Sequence, residues 1–166
     1  MHNLKLLNSW LWRTCRILRL PTISLLAAVC VLSSCSLLSL FKSNNSLSAI
    51  QLVAEINANQ NTATNIDIAF IYDEQAVALL PKTGPEWFEK KPALMLSMAT
   101  SIEVVSLQMP PATLASVSLP ARHAKAVGVY CFVNYLNVSG QAVGNLTPYT
   151  NMVIWLTPNT LLYKGD

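Results

Sequence analysis

The sequence predicts an all-β fold, a single β-sandwich with one small helical insertion. Six to eight short apolar runs follow one another after residue 49, and residues that favour turns separate them. Few stretches have the period of a helix. The run at residues 127–132 is nearly unbroken, as expected of a central strand that is buried on both faces. Many short strands with little helix are typical of a sandwich.

Alternation of apolar and polar residues predicts the first two strands. Residues 50–57 place four apolar side chains on one face, namely Ile50, Leu52, Ala54 and Ile56. An asparagine-rich segment at residues 57–65 predicts a polar loop, since asparagine prefers turn conformations. Residues 66–72 alternate again and are predicted to form the second strand.

The helical insertion is predicted between Asp73 and Ala99. Residues 73–80 favour one or two helical turns with Asp73 as the N-cap. Residues 81–92 contain proline and glycine and are interpreted as a loop, and residues 93–99 as a short helix. The remaining strands are predicted at residues 102–109, 113–119, 127–136, 152–156 and 160–163.

The first 34 residues have the three parts of a secretory signal peptide. A basic region is followed by an apolar stretch and then by small residues before Cys35. The motif Leu32-Ser33-Ser34-Cys35 fits a bacterial lipobox, in which the cysteine thiol is acylated and becomes the new N-terminus. The alternative is an uncleaved signal anchor, because residues 20–41 carry no charge and nearly suffice to span a bilayer.

The signal peptide divides the chain into three segments. Residues 1–34 are the leader, residues 35–48 the lipidated N-terminus and a Ser/Asn-rich tether, and residues 49–166 the sandwich domain. Ser36 follows the lipobox cysteine and favours the periplasmic face of the outer membrane over retention in the inner membrane. The net charge of +3 comes from the leader, since seven cations and eight acids remain after Cys35. The domain therefore has no basic stripe for nucleic acid.

The domain is short of catalytic and metal-binding side chains. It has one histidine, His123, and one cysteine, Cys131, which we interpret as a small buried residue. Glu86 and Glu89 lie beside lysines and are interpreted as a solvated charge run. We therefore expect no catalytic residue, metal or cofactor, no small-molecule substrate and no enzymatic activity, and we favour a binding module.

Four segments in order resemble the outer-membrane lipoprotein of type VI secretion systems, the TssJ (SciN) family. Residues 50–72 resemble its opening strand–loop–strand, with Ala58 where the family usually has proline. Residues 85–96 resemble its aromatic segment, and residues 124–135 its central strand. Residues 152–163 are similar to its closing strands. An arginine usual in the second strand is absent, because Ala69 and Phe70 stand there.

The resemblance implies a C2 or transthyretin-like sandwich that binds the periplasmic domain of an inner-membrane partner, TssM. In the family the loop between the first two strands is a main contact, and the matching positions are Asn59, Gln60, Asn61 and Thr62. Trp87 and Phe88 are further candidates, because exposed aromatic residues dominate many interfaces. A solvated turn for the loop and core packing for the two aromatics remain open.

Two other classes of function remain open. A pilotin-like or other envelope-assembly lipoprotein would present a groove for a peptide. An envelope enzyme or solute-binding protein would need convergent polar side chains in a pocket, which the composition disfavours.

Overall fold

Eight strands form two four-stranded sheets in the computed structural model, which describes residues 45–166. The strands are β1 (Ala49–Ala54), β2 (Thr64–Ile71), β3 (Ile102–Met109), β4 (Leu114–Ser116), β5 (Gly128–Val133), β6 (Gly144–Asn145), β7 (Asn151–Leu156) and β8 (Leu161–Gly165). The first sheet has the order β4-β1-β7-β8 and the second the order β3-β2-β5-β6. All pairs are antiparallel except β1 with β7. The predicted all-β sandwich is confirmed.

The main core lies between the two sheets. Ile50, Leu52 and Ile154 of the first sheet are buried in one cluster with residues of β2 and β5. A second cluster lies on the outer face of the second sheet and contains Trp87 and Phe132. Both faces of the second sheet are therefore covered.

Strand β5 shows why its sequence is almost continuously apolar. Val129, Cys131 and Val133 belong to the cluster between the sheets, whereas Phe132 belongs to the outer cluster. Because β5 pairs with both β2 and β6, it lies inside the sheet as well as between two apolar layers. Side chains that point to either face of β5 are therefore buried, and both alternating positions can be apolar.

Two helices form the insertion between β2 and β3. Helix α1 is Glu74–Val77, and the side chain of Asp73 caps it by accepting from the Gln75 backbone N–H. Helix α2 is Gly84–Ser97 and covers the outer face of the second sheet. Neither of these described helices is long and apolar enough to cross a bilayer.

The prediction of a loop at residues 81–92 is wrong, because α2 begins at Gly84. Pro85 lies in the first turn, where a missing backbone N–H breaks no helical bond. Thr83 caps the helix, and Lys90 forms an i,i+4 ion pair with Glu86 at 2.6 Å. Pro92 lies inside the helix on its exposed side, and packing of α2 on the sheet compensates for the bond it removes.

The last four residues of the predicted tether belong to the folded domain. Leu47 is buried in the main core. The side-chain amide of Asn45 donates to the carbonyls of His123 and Ala126, each at 2.8 Å. The tether as predicted through Ser48 is therefore too long. The leader, Cys35 and the rest of the tether lie outside the described residues.

Candidate functional site

The two ends of the sandwich differ in what they carry. The chain reaches β1 from Asn45, which is bonded to the segment just before β5. We call this the proximal end. β1 runs from there to Ala54, and β7 runs parallel to it. The opposite end, called the distal end below, is formed by residues 55–63, 110–113, 134–142 and 157–160.

The loop between β1 and β2 lies at the distal end and has an unusual backbone. A 3-10 helix at Ala58–Asn61 contains three consecutive left-handed residues, with φ of 47° at Asn59, 55° at Gln60 and 63° at Asn61. Asparagine tolerates this region better than most side chains, whereas it is costly for glutamine. The asparagine-rich composition therefore serves the shape of the loop.

Asn59 is a buried anchor of this loop. Only 1% of its surface is exposed. Its Oδ1 accepts from the backbone N–H of Leu136 at 2.8 Å, and its own backbone N–H donates to Thr157 at 3.1 Å. The predicted role of the Asn59 side chain as a partner contact is therefore corrected, since its acceptor is used inside the protein.

Gln60, Asn61 and Thr62 are exposed, in contrast to Asn59. They stand on a backbone that Asn59 ties to two other distal segments. Gln60, Asn61 and Thr62 are thus available to a partner. The bonds of Asn59 hold the backbone on which they stand.

Trp87 and Phe88 lie on α2 and not at the distal loops. Trp87 is completely buried, and its ring stacks on Phe132 with 4.3 Å between centroids and 10° between planes. Its Nε1 donates to Asp67 at 2.7 Å. Phe88 is half-buried against the same outer cluster. The prediction of Trp87 as a partner contact is therefore corrected, and core packing is the role that both aromatics have here.

Asp67 fastens α2 to the second sheet. Its carboxylate is 2% exposed and accepts from the Trp87 indole, and Lys91 Nζ lies 2.7 Å from the same oxygen. Lys91 also donates to Ser106 on β3 at 2.9 Å. A carboxylate on the outer face of β2 thus holds two side chains from successive turns of α2.

Three aliphatic side chains at the distal end are exposed. The exposed fraction is 78% for Ile56, 59% for Leu136 and 80% for Val138. The alternating pattern placed Ile56 on the buried face, but β1 ends at Ala54 and the chain turns where Ala58 donates to the carbonyl of Glu55. Leu136 was assigned to the central strand, which ends at Val133. The sequence feature that could have indicated the exposure of Leu136 and Val138 is that they lie among turn-favouring residues, Asn137, Ser139 and Gly140.

Tyr135 closes the space beneath these loops. Its ring is buried, and its hydroxyl donates to the carbonyl of Thr157. Burial raises the pKa of Tyr135 above its ordinary value, so the hydroxyl keeps its proton and remains a donor at neutral pH. The link holds the β5–β6 and β7–β8 connections together.

Within residues 45–166 no group of three or more His, Cys, Asp or Glu side chains is placed to hold a metal ion. One polar cleft of about 320 Å³ lies between α2 and the edge of the second sheet. It is lined by Asn65, Asp67, Phe88, Lys91, Ser106, Leu107 and Gln108. Its carboxylate and ammonium are already paired with each other.

Comparison with known proteins finds relatives by structure. No protein-family model matches the chain, and no curated protein matches its sequence. The type VI secretion lipoprotein TssJ1 from Pseudomonas aeruginosa is similar, with 11% identity, 71% of this chain and 94% of that chain covered, and a TM-score of 0.52.

A second solved structure is similar to the same degree. It is Serratia marcescens Lip, a membrane-bound component of the type VI secretion system, with 11% identity, 74% of this chain and 98% of that chain covered, and a TM-score of 0.50. At this identity the likeness shows the fold. The resemblance inferred from the sequence segments is therefore confirmed at the level of the fold.

Proposed function

We propose that this chain, which has the fold of the type VI secretion lipoproteins, is a lipid-anchored structural component of a secretion membrane complex. Its lipid at Cys35 holds it on the periplasmic face of the outer membrane. Its distal end binds the periplasmic domain of a TssM-like inner-membrane partner. The chain thereby links the two membranes.

The observation that carries this proposal is that the chain enters the domain at one end and the candidate contact loop lies at the other end. Asn45 follows Cys35 by ten positions, so the chain between them can span at most about 36 Å when fully extended. The tether therefore limits how far the proximal end can lie from the lipid. Strands of six residues, such as β1 and β7, separate the distal loops from the proximal end by about 20 Å. The family's contact loop lies at the end of the sandwich opposite the one at which the chain enters the domain.

The chemistry of the distal end supports binding over catalysis. Among its four segments Glu55 is the only residue charged at neutral pH, and its Oε1 accepts from Trp155 Nε1 at 2.9 Å. Asn61, Gln60 and Thr62 offer uncharged donors and acceptors. Such a surface loses little by desolvation when another protein covers it.

The binding test changes only the exposed part of the loop. Gln60, Asn61 and Thr62 are replaced by Gly, Gly and Ser, and Asn59 is kept because it is structural. Glycine accepts the positive φ of both positions, so the loop backbone is retained. The full-length chain is purified from membranes and co-purifying proteins are identified by mass spectrometry.

We expect the wild-type chain to retain an inner-membrane secretion component and the loop variant to lose it. As a control, Ser97→Gly on the exposed end of α2 should retain the partner. Full retention by the loop variant, with an unchanged unfolding midpoint, would exclude the loop as the site.

A second test concerns the anchor. Cys35→Ser removes the acylated thiol, and we expect unprocessed protein that leaves the outer-membrane fraction. Incorporation of a clickable fatty acid into the wild-type chain, absent from Cys35→Ser, measures lipidation directly. Unchanged outer-membrane fractionation of the variant would contradict the proposed anchor.

A further inference from the structure

The exposed aliphatic side chains at the distal end belong to two different loops. Ile56 follows β1, whereas Leu136 and Val138 follow β5. Isolated exposed aliphatic residues are common on protein surfaces, but these three stand on segments that are hydrogen-bonded to one another. An apolar centre within a polar surround is the usual anatomy of a protein interface.

The loop that carries Leu136 and Val138 is braced from several sides. Asn59 accepts from the backbone of Leu136, as described above. Ser139 Oγ donates to the carbonyl of Asn159 at 2.8 Å, and Thr160 Oγ1 donates to the carbonyl of Ser139 at 3.0 Å. Gln141 Nε2 donates to the carbonyl of Tyr135 at 2.9 Å. A surface held in place before binding loses less conformational entropy when a partner docks.

Apart from Glu55, the surround of these side chains is uncharged. Glu55 is half-buried and already accepts a hydrogen bond from Trp155, and the other polar residues include Asn57, Gln60, Asn61, Thr62, Asn137 and Asn159. A charged partner surface would lose its hydration here and meet no freely exposed opposite charge. The end therefore selects against charged surfaces and accepts apolar ones.

We infer that Ile56, Leu136 and Val138 are the main anchors for the partner, and that the partner presents an uncharged, apolar protein surface to them. This inference rests on the proposed function. It assigns recognition of the partner to two loops, the one between β1 and β2 and the one between β5 and β6. The amide side chains of the β1–β2 loop form the rim. Binding is consequently insensitive to salt, because few charges are brought together.

The experiment uses the full-length chain in detergent and one defined probe. The probe is the purified periplasmic region of the TssM-like inner-membrane protein of the same organism. Dissociation constants are measured for wild type, for Leu136→Asp, for Val138→Asp and for the Gly-Gly-Ser loop variant. Each is measured at about 0.1 M and about 0.5 M salt, which shortens the screening length roughly twofold.

We expect Leu136→Asp and Val138→Asp each to weaken binding at least tenfold, and the wild-type constant to change less than threefold with salt. The matched control is Leu96→Asp, because Leu96 is 84% exposed and lies on α2 away from the distal loops. It should bind as wild type does. Leu136→Ala and Val138→Ala repeat the test without a new charge, and thermal midpoints verify folding.

The outcomes separate the inference from the proposed function. If both aspartate variants bind like wild type while the loop variant does not, the inference is overturned and the proposed function stands. A wild-type constant that weakens more than tenfold at high salt overturns the uncharged, apolar chemistry of the partner. If the wild-type chain does not bind the probe at all, the proposed function fails and the inference fails with it.

Discussion

The indole Nε1 of Trp87 donates a hydrogen bond to Oδ2 of Asp67 across 2.7 Å, inside the layer between α2 and the second sheet. Both side chains are buried. The bond joins α2, which local sequence signals disfavour, to β2, which they predict. Together with the stacking on Phe132, it holds Trp87 in the core.

Trp87→Phe should lower the free energy of unfolding by about 2–3 kcal/mol. Phenylalanine can still stack on Phe132, but it leaves a small cavity and removes the donor to Asp67. Urea unfolding followed by tryptophan fluorescence measures the loss. The matched control is Trp155→Phe, whose indole bonds to the less buried Glu55 and which should cost less than about 1 kcal/mol. Equal losses would contradict the role assigned to the buried bond.

Asn59→Ala should lower the free energy of unfolding by about 2–3 kcal/mol. The substitution leaves the Leu136 N–H without its acceptor, and alanine tolerates the φ of 47° less well than asparagine does. Asn59→Gly keeps the backbone relaxed and should recover about 1 kcal/mol of that loss. Differential hydrogen exchange at Leu136 is the direct measurement, and unchanged protection there would refute the anchor.

Gly84→Ala should destabilise the domain by about 2–4 kcal/mol, because α2 starts against β5. A β-carbon at Gly84 would lie 1.9 Å from the carbonyl oxygen of Val133, so the helix must shift. Pro85→Ala, in the same turn and half-buried, should change the unfolding midpoint little. A neutral Gly84→Ala variant would mean that the helix can dock in another position.

Stability should fall as the pH rises above 9, partly through Cys131. Burial raises the pKa of the Cys131 thiol from 9.0 to about 12. The unfolded thiol therefore loses its proton near pH 9 while the folded thiol keeps it. This contribution to stability is complete below pH 9 and is lost as the pH rises through about 12.

Cys131→Ala removes the thiol, while the neighbouring Tyr163, whose pKa is also raised by burial, remains in both proteins. Between pH 9 and pH 10 the slope of unfolding free energy against pH should be shallower in the variant than in wild type. The raised pKa of Tyr72, to about 12, acts mainly above pH 10 and is common to both proteins. Parallel slopes between pH 9 and pH 10 would show that the thiol is solvated in the folded state.

Most strands could be predicted because their signal is local. The alternation in β1 and the apolar run of β5 each reflect which faces are covered, and β3 was predicted with its observed bounds, Ile102–Met109. Helix α2 was missed because Pro85 and Pro92 are local helix-breaking signals. What overrides them is the burial of Trp87 on a sheet that is distant in sequence.

The position of the candidate loop could be predicted, but not how it is anchored. The loop with Gln60, Asn61 and Thr62 lies between β1 and β2 as predicted, and these three residues are exposed, whereas their binding of a partner stays a prediction. The role of Asn59 depends on Leu136, which lies 77 positions away, and no local pattern reports such a pair. Ile56 follows the alternation of β1, but the strand ends before it.

The parallel pairing of β1 with β7 affects how this chain can be made. Ala49 pairs with Asn151, about a hundred residues later, whereas the second sheet needs only residues 64–145. In a chain delivered N-terminus first, the second sheet can assemble while β1 still lacks one of its two neighbours. Synthesis that stops before residue 151 leaves β1 with an open edge. The strand nearest the membrane tether is thus completed only when nearly the whole protein has been delivered.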